Sequence, residues 1–128
     1  MKQTTNEWFL AAEDDLLAAK RLATDNRLTN VASFHCQQCI EKGLKAVIEE
    51  KGLPPLKSHD LFRLQLNAEI QLPETELILL GTINEVYIDS RYPSDFGLMP
   101  QGKPSLTDAD IFIAYTEKLF NRLKNLIE

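Results

Sequence analysis

Asn30–Lys51, NVASFHCQQCIEKGLKAVIEEK, is the stretch that decides the architecture. Wound at about 100° per residue, Ala32, Cys36, Cys39, Ile40, Gly43, Leu44, Ala46, Val47 and Ile48 cover an arc of roughly 200°. A helix lying on a surface needs a stripe only about half as wide. The spacing therefore predicts a central helix over 30–51, contacted by several others. His35, Gln38, Lys42, Lys45 and Glu49 make up the remaining polar strip. Gln37 is the anomaly, because the wheel sets it between Leu44 and Ile48. A buried amide there must find hydrogen-bond partners or cost about 1–3 kcal/mol. Gly52, then Pro54-Pro55, closes the helix in the usual Gly-then-Pro order.

Helical periodicity continues on both sides. Upstream, Trp8, Ala11, Ala12, Leu16, Ala19, Leu22 and Ala23 recur at three- and four-residue steps. Thr4-x-x-Glu7 reads as a capping box for a helix over about 5–24, broken by Asp25-Asn26. Downstream, Ser58 is the expected N-cap of a short helix over about 59–69 with Leu61, Phe62, Leu64 and Leu66. Pro73 suits the first turn of a fourth helix, and Glu74 and Glu76 suit the positive end of its dipole. That helix runs through Leu79, Leu80, Ile83, Val86 and Tyr87 to about Arg91. Three prolines and two glycines make 92–104 a long non-helical segment. A last helix, capped by Ser105-x-x-Asp108 or Thr107-x-x-Asp110, ends near Ile127, with Phe112, Tyr115, Leu119, Phe120, Leu123 and Leu126 on its apolar face. The expectation is one all-α domain over 1–128, a bundle of about five helices.

The composition sets outer limits on function. The 128 residues carry 14 Lys and Arg against 19 Asp and Glu, a net charge of −5, with a pI near 5.1. A dedicated double-stranded nucleic-acid binder normally shows a strongly basic surface, so that class is disfavoured while a local basic groove is not. No apolar run reaches the roughly 18 residues of a membrane span. Met1–Glu7 lacks the apolar core of a secretory signal, and two cysteines make no disulfide framework. The cytoplasm is the expected location.

Few residues are placed to do chemistry. Cys36-x-x-Cys39 invites a metal or redox reading, yet both thiols fall on the apolar arc and well inside the helix. A structural zinc needs four ligands, and a redox pair draws its low pKa from a helix N-terminus. The cysteines read as small hydrophobes, and no metal or cofactor is expected. His35, at the edge of the polar strip, is a candidate acid/base without a recognisable Ser or Asp partner in the sequence. His59 sits where a polar ring helps to fix a helix start. Asn84, Tyr87 and Arg91 share one helix face within about 60°. Arg91 near a helix C-terminus is explained by the dipole at about 0.3–1 kcal/mol, and equally by a planar fork of donors suited to phosphate. Glu85 and Asp89 fall on the opposite side.

Three segments taken together, ASFHCQQCIEKGLKA (32–46), Ser58-His59-Asp60-Leu61 and Ser90-Arg91-Tyr92-Pro93, resemble the HEPN domain family of bacteria and archaea. That family shows a Gln-Gln-x-x-Glu-Lys-x-Leu-Lys-Ala helix, a His-Asp-Leu helix start and an Arg-Tyr-Pro helix end. The resemblance spans about 20–125. It implies an up-and-down helical bundle that pairs as a homodimer, often encoded beside a small nucleotidyltransferase in a toxin–antitoxin-like pair. It also implies nucleotide or RNA binding, or metal-independent RNA cleavage. Catalytic members carry an Arg-x4–6-His motif. Here Arg91 matches the arginine, but Phe96, Gly97 and Leu98 follow and no histidine comes after Arg91. Losing such an acid/base removes about 10²–10⁴-fold of rate.

Three readings follow from the residues and the resemblance. In the first, a binding module contacts phosphate through Arg91 with Asn84, Lys42 or Lys45, beside Tyr87, while Tyr92 and Phe96 stack on a base. In the second, a metal-independent endoribonuclease with a degenerate motif uses His35 or Tyr92 in place of the missing histidine. In the third, the 92–104 loop docks a nucleotidyltransferase partner through Phe96, Leu98 and Met99.

Overall fold

The computed structural model describes the backbone of residues 1–91 and 103–128 and the side chains of 1–87 and 103–128. The described residues form five α-helices and no strand: α1 (Gln3–Leu22), α2 (Thr29–Glu50), α3 (Leu61–Asn67), α4 (Glu74–Arg91) and α5 (Leu106–Ile127). A 3₁₀ turn, Asn26–Leu28, joins α1 to α2. The result is an up-and-down helical bundle. The segment expected to be non-helical lies outside the described residues over 92–102, and with it Tyr92 and Phe96.

The wide apolar arc of α2 has the expected consequence: this helix packs against α1, α3, α4 and α5. Ala32, Cys36, Cys39, Ile40, Leu44, Ala46, Val47 and Ile48 are all buried. All of these but Ala32 join one cluster with Phe9 and Leu16 of α1, Leu64 of α3, Leu80 and Ile83 of α4, and Leu119 and Leu123 of α5. Each large side chain buried this way contributes about 1.5–3 kcal/mol relative to exposure. Phe9 and Phe120 meet edge to face at 6.0 Å, joining α1 to α5. Gly43 marks a close approach of α5, since a Cβ there would lie 3.2 Å from Leu123 Cδ1.

Helix ends follow local chemistry, with three departures from expectation. The capping box at Thr4 does not form. Helix α1 starts earlier, at Gln3, with Lys2 at the N-cap and no side-chain cap bond. The C-terminal carboxylates of α2 take that part instead. Thr4 Oγ1 donates to Glu49 Oε1 (2.8 Å) and Thr5 Oγ1 to Glu50 Oε1 (3.0 Å), while the Lys2 amide donates to Glu50 Oε1 (2.9 Å). Negative charge from a neighbouring helix thus meets the positive end of the α1 dipole. The Lys2 amide, then the Thr5 hydroxyl, holds the Glu50 carboxyl below its ordinary value. Second, α3 is capped by Asp60 rather than Ser58. The Asp60 side chain accepts from Phe62 N, and Ser58 Oγ accepts from Asp60 N one step earlier. Third, Leu126, on the expected apolar face of α5, is exposed. Pro73 stands just before α4, where its carbonyl accepts from Glu76 N and Leu77 N (3.0 Å each). Of the two boxes expected for α5, Ser105 with Asp108 is the one that forms.

Both α2 and α3 end in paired reversed hydrogen bonds around a left-handed residue. At α2 this residue is Gly52 (φ 67°), with Gly52 N donating to Glu49 O and Leu53 N to Ile48 O (3.1 Å each). At α3 the equivalent position is Glu69 (φ 59°), with Glu69 N donating to Leu66 O and Ile70 N to Gln65 O. Only the second carries a Cβ that is crowded in this conformation. The left-handed strain at Glu69 exceeds the extra entropy a glycine loses on folding, so Glu69→Gly is expected to stabilise the protein by about 0.5–1 kcal/mol in urea unfolding.

The cysteines are core residues. Cys36 and Cys39 are fully buried and reduced. Burial pushes the Cys36 thiol up to about 12, against a weaker opposing hydrogen bond with Thr116. Burial, then the neighbouring Cys36 and the charge of Asp15, pushes Cys39 up as well. Neither thiol forms a thiolate near neutrality, so a disulfide reagent such as DTNB at pH 8 should leave the native protein unmodified and titrate both cysteines after denaturation.

Candidate functional site

Two clusters of histidine, carboxylate and lysine flank α2. In the first, the Asp15 carboxylate of α1 lies 10% exposed between two partners on α2: its Oδ1 accepts from His35 Nδ1 (2.8 Å) and its Oδ2 from Lys42 Nζ (2.7 Å). His35 therefore does have an acidic partner, one that sequence spacing could not reveal because it comes from another helix twenty residues away. In the second, Glu41 lies almost fully buried on α2. Its Oε1 accepts from His59 Nδ1 (3.0 Å) and its Oε2 from Lys45 Nζ (2.9 Å).

Gln37 is the brace that brings His59 to this position. Its side chain is fully buried. Its Nε2 donates to the His59 carbonyl (2.9 Å) and to Glu41 Oε1 (3.3 Å), and its Oε1 accepts from Gln38 Nε2 (2.8 Å). The amide that looked misplaced on an apolar face is fully satisfied, and its partners tie the 51–60 connector to α2. His59 is thus held at both its backbone and its Nδ1. With Nδ1–H directed at a carboxylate, the neutral ring keeps Nε2 as an acceptor, and the protonated ring offers Nε2–H as a donor.

Beside His59 lies a hollow of about 230 Å³ lined by His59, Asp60, Asn84 and Tyr87. The ring of Tyr87 sits between Phe34, stacked at 5.7 Å, and His59, tilted at 5.4 Å. Phe34 in turn meets His35 edge-on at 5.4 Å, so one run of aromatic rings joins the two histidines. Asn84 accepts from Leu61 N (3.1 Å) through Oδ1 and donates to Asp60 Oδ1 (3.2 Å) through Nδ2. Its amide locks the start of α3 onto α4.

The residues singled out in the sequence are therefore dispersed. Asn84 and Tyr87 line one hollow, as their shared helix face suggests. Lys42 and Lys45 do not line it; each neutralises the carboxylate that holds a histidine. His35 belongs to the Asp15 cluster. Arg91 is the last residue of α4, four positions beyond Tyr87 and so on the same side of the helix. His59 is the site residue that sequence reasoning underrated. Its signal was the Ser58-His59-Asp60-Leu61 segment, but nothing in the linear sequence showed that Glu41 would meet its ring.

Known proteins give a consistent answer for the fold. No helix among the described residues is long and apolar enough to cross a membrane. No curated protein matches this chain. Among solved structures, ST0689, an archaeal HEPN homologue, is 25% identical with a TM-score of 0.76, and the match covers 99% of this chain and 100% of that one. TT1696 from Thermus thermophilus is 19% identical with a TM-score of 0.81, covering 97% of this chain and 98% of that one. The family model for the HEPN domain matches residues 5–126. Nearly every residue that builds the bundle lies within that match, and the chain belongs to the HEPN domain family.

Proposed function

We propose that this HEPN chain is a nucleotide- or RNA-binding module, acting as a homodimer and working with a small nucleotidyltransferase in a toxin–antitoxin-like pair. The observation that carries the reading is the hollow at the α3–α4 junction, where a histidine fixed by a buried carboxylate stands beside Tyr87 and Asn84. One helical turn further on, α4 ends at Arg91. An imidazole donor on the connector beside an aromatic ring of α4, with an arginine one turn further along that helix, suits a phosphate joined to a base. Tyr92 follows directly in sequence and Phe96 four residues after it, both side chains of the kind that stack on a base. In this reading Lys42 and Lys45 act by positioning, since each is bound to the carboxylate behind a histidine. Asn84 holds the frame of the hollow. Pairing of two chains would bring two copies of Arg91 to one assembly, concentrating positive potential on a protein whose net charge is −5.

Binding of a fluorescent short RNA and of mononucleotides tests this site. Arg91→Ala and His59→Ala are each expected to weaken affinity about tenfold or more, the size of one charge-assisted hydrogen bond. Unchanged affinity in both variants would remove the site.

The His59–Glu41 pair also favours a second reading, metal-independent RNA cleavage with a displaced acid/base. A ring held at Nδ1 by a carboxylate and exposed on its other side has the arrangement of a general acid/base. If this is the activity, RNA should be cleaved in EDTA, and His59→Gln should lower the rate about 10²-fold or more while His35→Ala leaves it within a few fold. Equal cleavage by wild type and His59→Gln would eliminate His59 from that role.

A further inference from the structure

A second hollow, of about 280 Å³, lies between α1, α2 and the 51–60 connector. Its base is apolar: Ile48 is buried in the core, and Leu56 packs half-buried against the same cluster. Trp8 forms one wall, with Pro55 also on the lining. The indole is half-buried and borders a further hollow with Thr4 and Glu7. It therefore stands as a partition between two open spaces instead of being enclosed by the core, and aromatic surface remains for a ligand.

The charges around this hollow are unequally matched. The Lys45 ammonium lies 5.6 Å from the centre of the Trp8 ring and is neutralised by Glu41. The Glu49 carboxylate makes no ion pair among the described residues either, but its Oε1 accepts from the hydroxyl of Thr4 (2.8 Å), a residue that lines the further hollow. Lys57, on the lining and exposed, makes no ion pair among the described residues. The unmatched cation at the rim is thus a lysine, on an acidic chain. Small-molecule pockets start at about 300 Å³, so the space fits one ring and one charged group, not a dinucleotide.

We propose that this hollow binds a small aromatic anion, a single ring bearing one carboxylate or phosphate. The ring lies against the Trp8 indole over Ile48 and Leu56, and the anionic group meets the Lys57 ammonium. The apolar base selects the ring, and the unmatched lysine selects the charge. This site is separate from the hollow at Asn84 and Tyr87, and its occupancy does not depend on the nucleotide reading.

Trp8 is the sole tryptophan of the chain, so its emission and its single indole N–H resonance report on the two hollows it borders, and the Lys57 variant tells them apart because Lys57 lines only this one. The full-length protein is titrated with benzoate, with phenyl phosphate and with the neutral benzyl alcohol. Saturable changes with a Kd of about 0.1–1 mM are expected for at least one anion, in keeping with ligands of about ten heavy atoms. Benzyl alcohol should bind at least tenfold more weakly. Lys57→Glu should weaken the anion at least tenfold, whereas Lys118→Glu, the same charge change on an exposed position of α5, should leave its Kd unchanged. A linear response with both anions, equal affinity for the alcohol, or equal effects of the two lysine variants would overturn the proposal.

Discussion

A carboxylate almost removed from water must be compensated on every side, and the Glu41 side chain organises the molecule for that reason. It lies on the central helix, 4% exposed, and gathers an ammonium, an imidazole and the amide of Gln37. These partners reach toward different parts of the bundle. His59 brings in the connector that leads to α3, and Lys45 extends across to Trp8 of α1. An isolated buried charge of this kind would cost several kcal/mol. The chain meets that demand with side chains of α2 itself and one histidine from the connector, gathered on one oxygen pair.

The sister cluster around Asp15 repeats the arrangement with the directions reversed: α1 supplies the acid, and α2 supplies the imidazole and the ammonium. Together they explain why the polar strip of α2 carries lysines on a net acidic protein. Those lysines are internal counterions, not a basic surface. Positive charge available to a ligand must therefore come from elsewhere, which places the emphasis on the end of α4 and on the connector.

How much of this was legible beforehand depends on the range over which each residue acts. The roughly 200° arc of α2 is a local property, and it foretold the helix's central position; Gly52, Pro73 and Ser105 marked ends for equally local reasons. Gln37 announced itself as a buried amide in need of partners, though not which ones. Asp15 beside His35 and Glu41 beside His59 were invisible, because each pair joins residues eighteen to twenty positions apart through packing. The Thr4 box is absent because α1 begins earlier, at Gln3, so that Thr4 lies inside the helix and its hydroxyl donates to Glu49 of α2. Asp60 displaced Ser58 as the cap because Asn84 and an α3 amide both converge on it.

The fastening of the first turn of α1 to Glu49 and Glu50 carries a practical corollary for anyone producing this polypeptide. The Lys2 amide and ammonium are engaged with the last turn of α2, so a fusion partner or affinity handle placed upstream would sit beside that group of carboxylates. The opposite terminus is freer, with Leu126 and Glu128 facing solvent after a helix whose last carbonyls need only water. Immobilisation or labelling by way of Glu128 would leave the first turn of α1 and its bonds to Glu49 and Glu50 undisturbed.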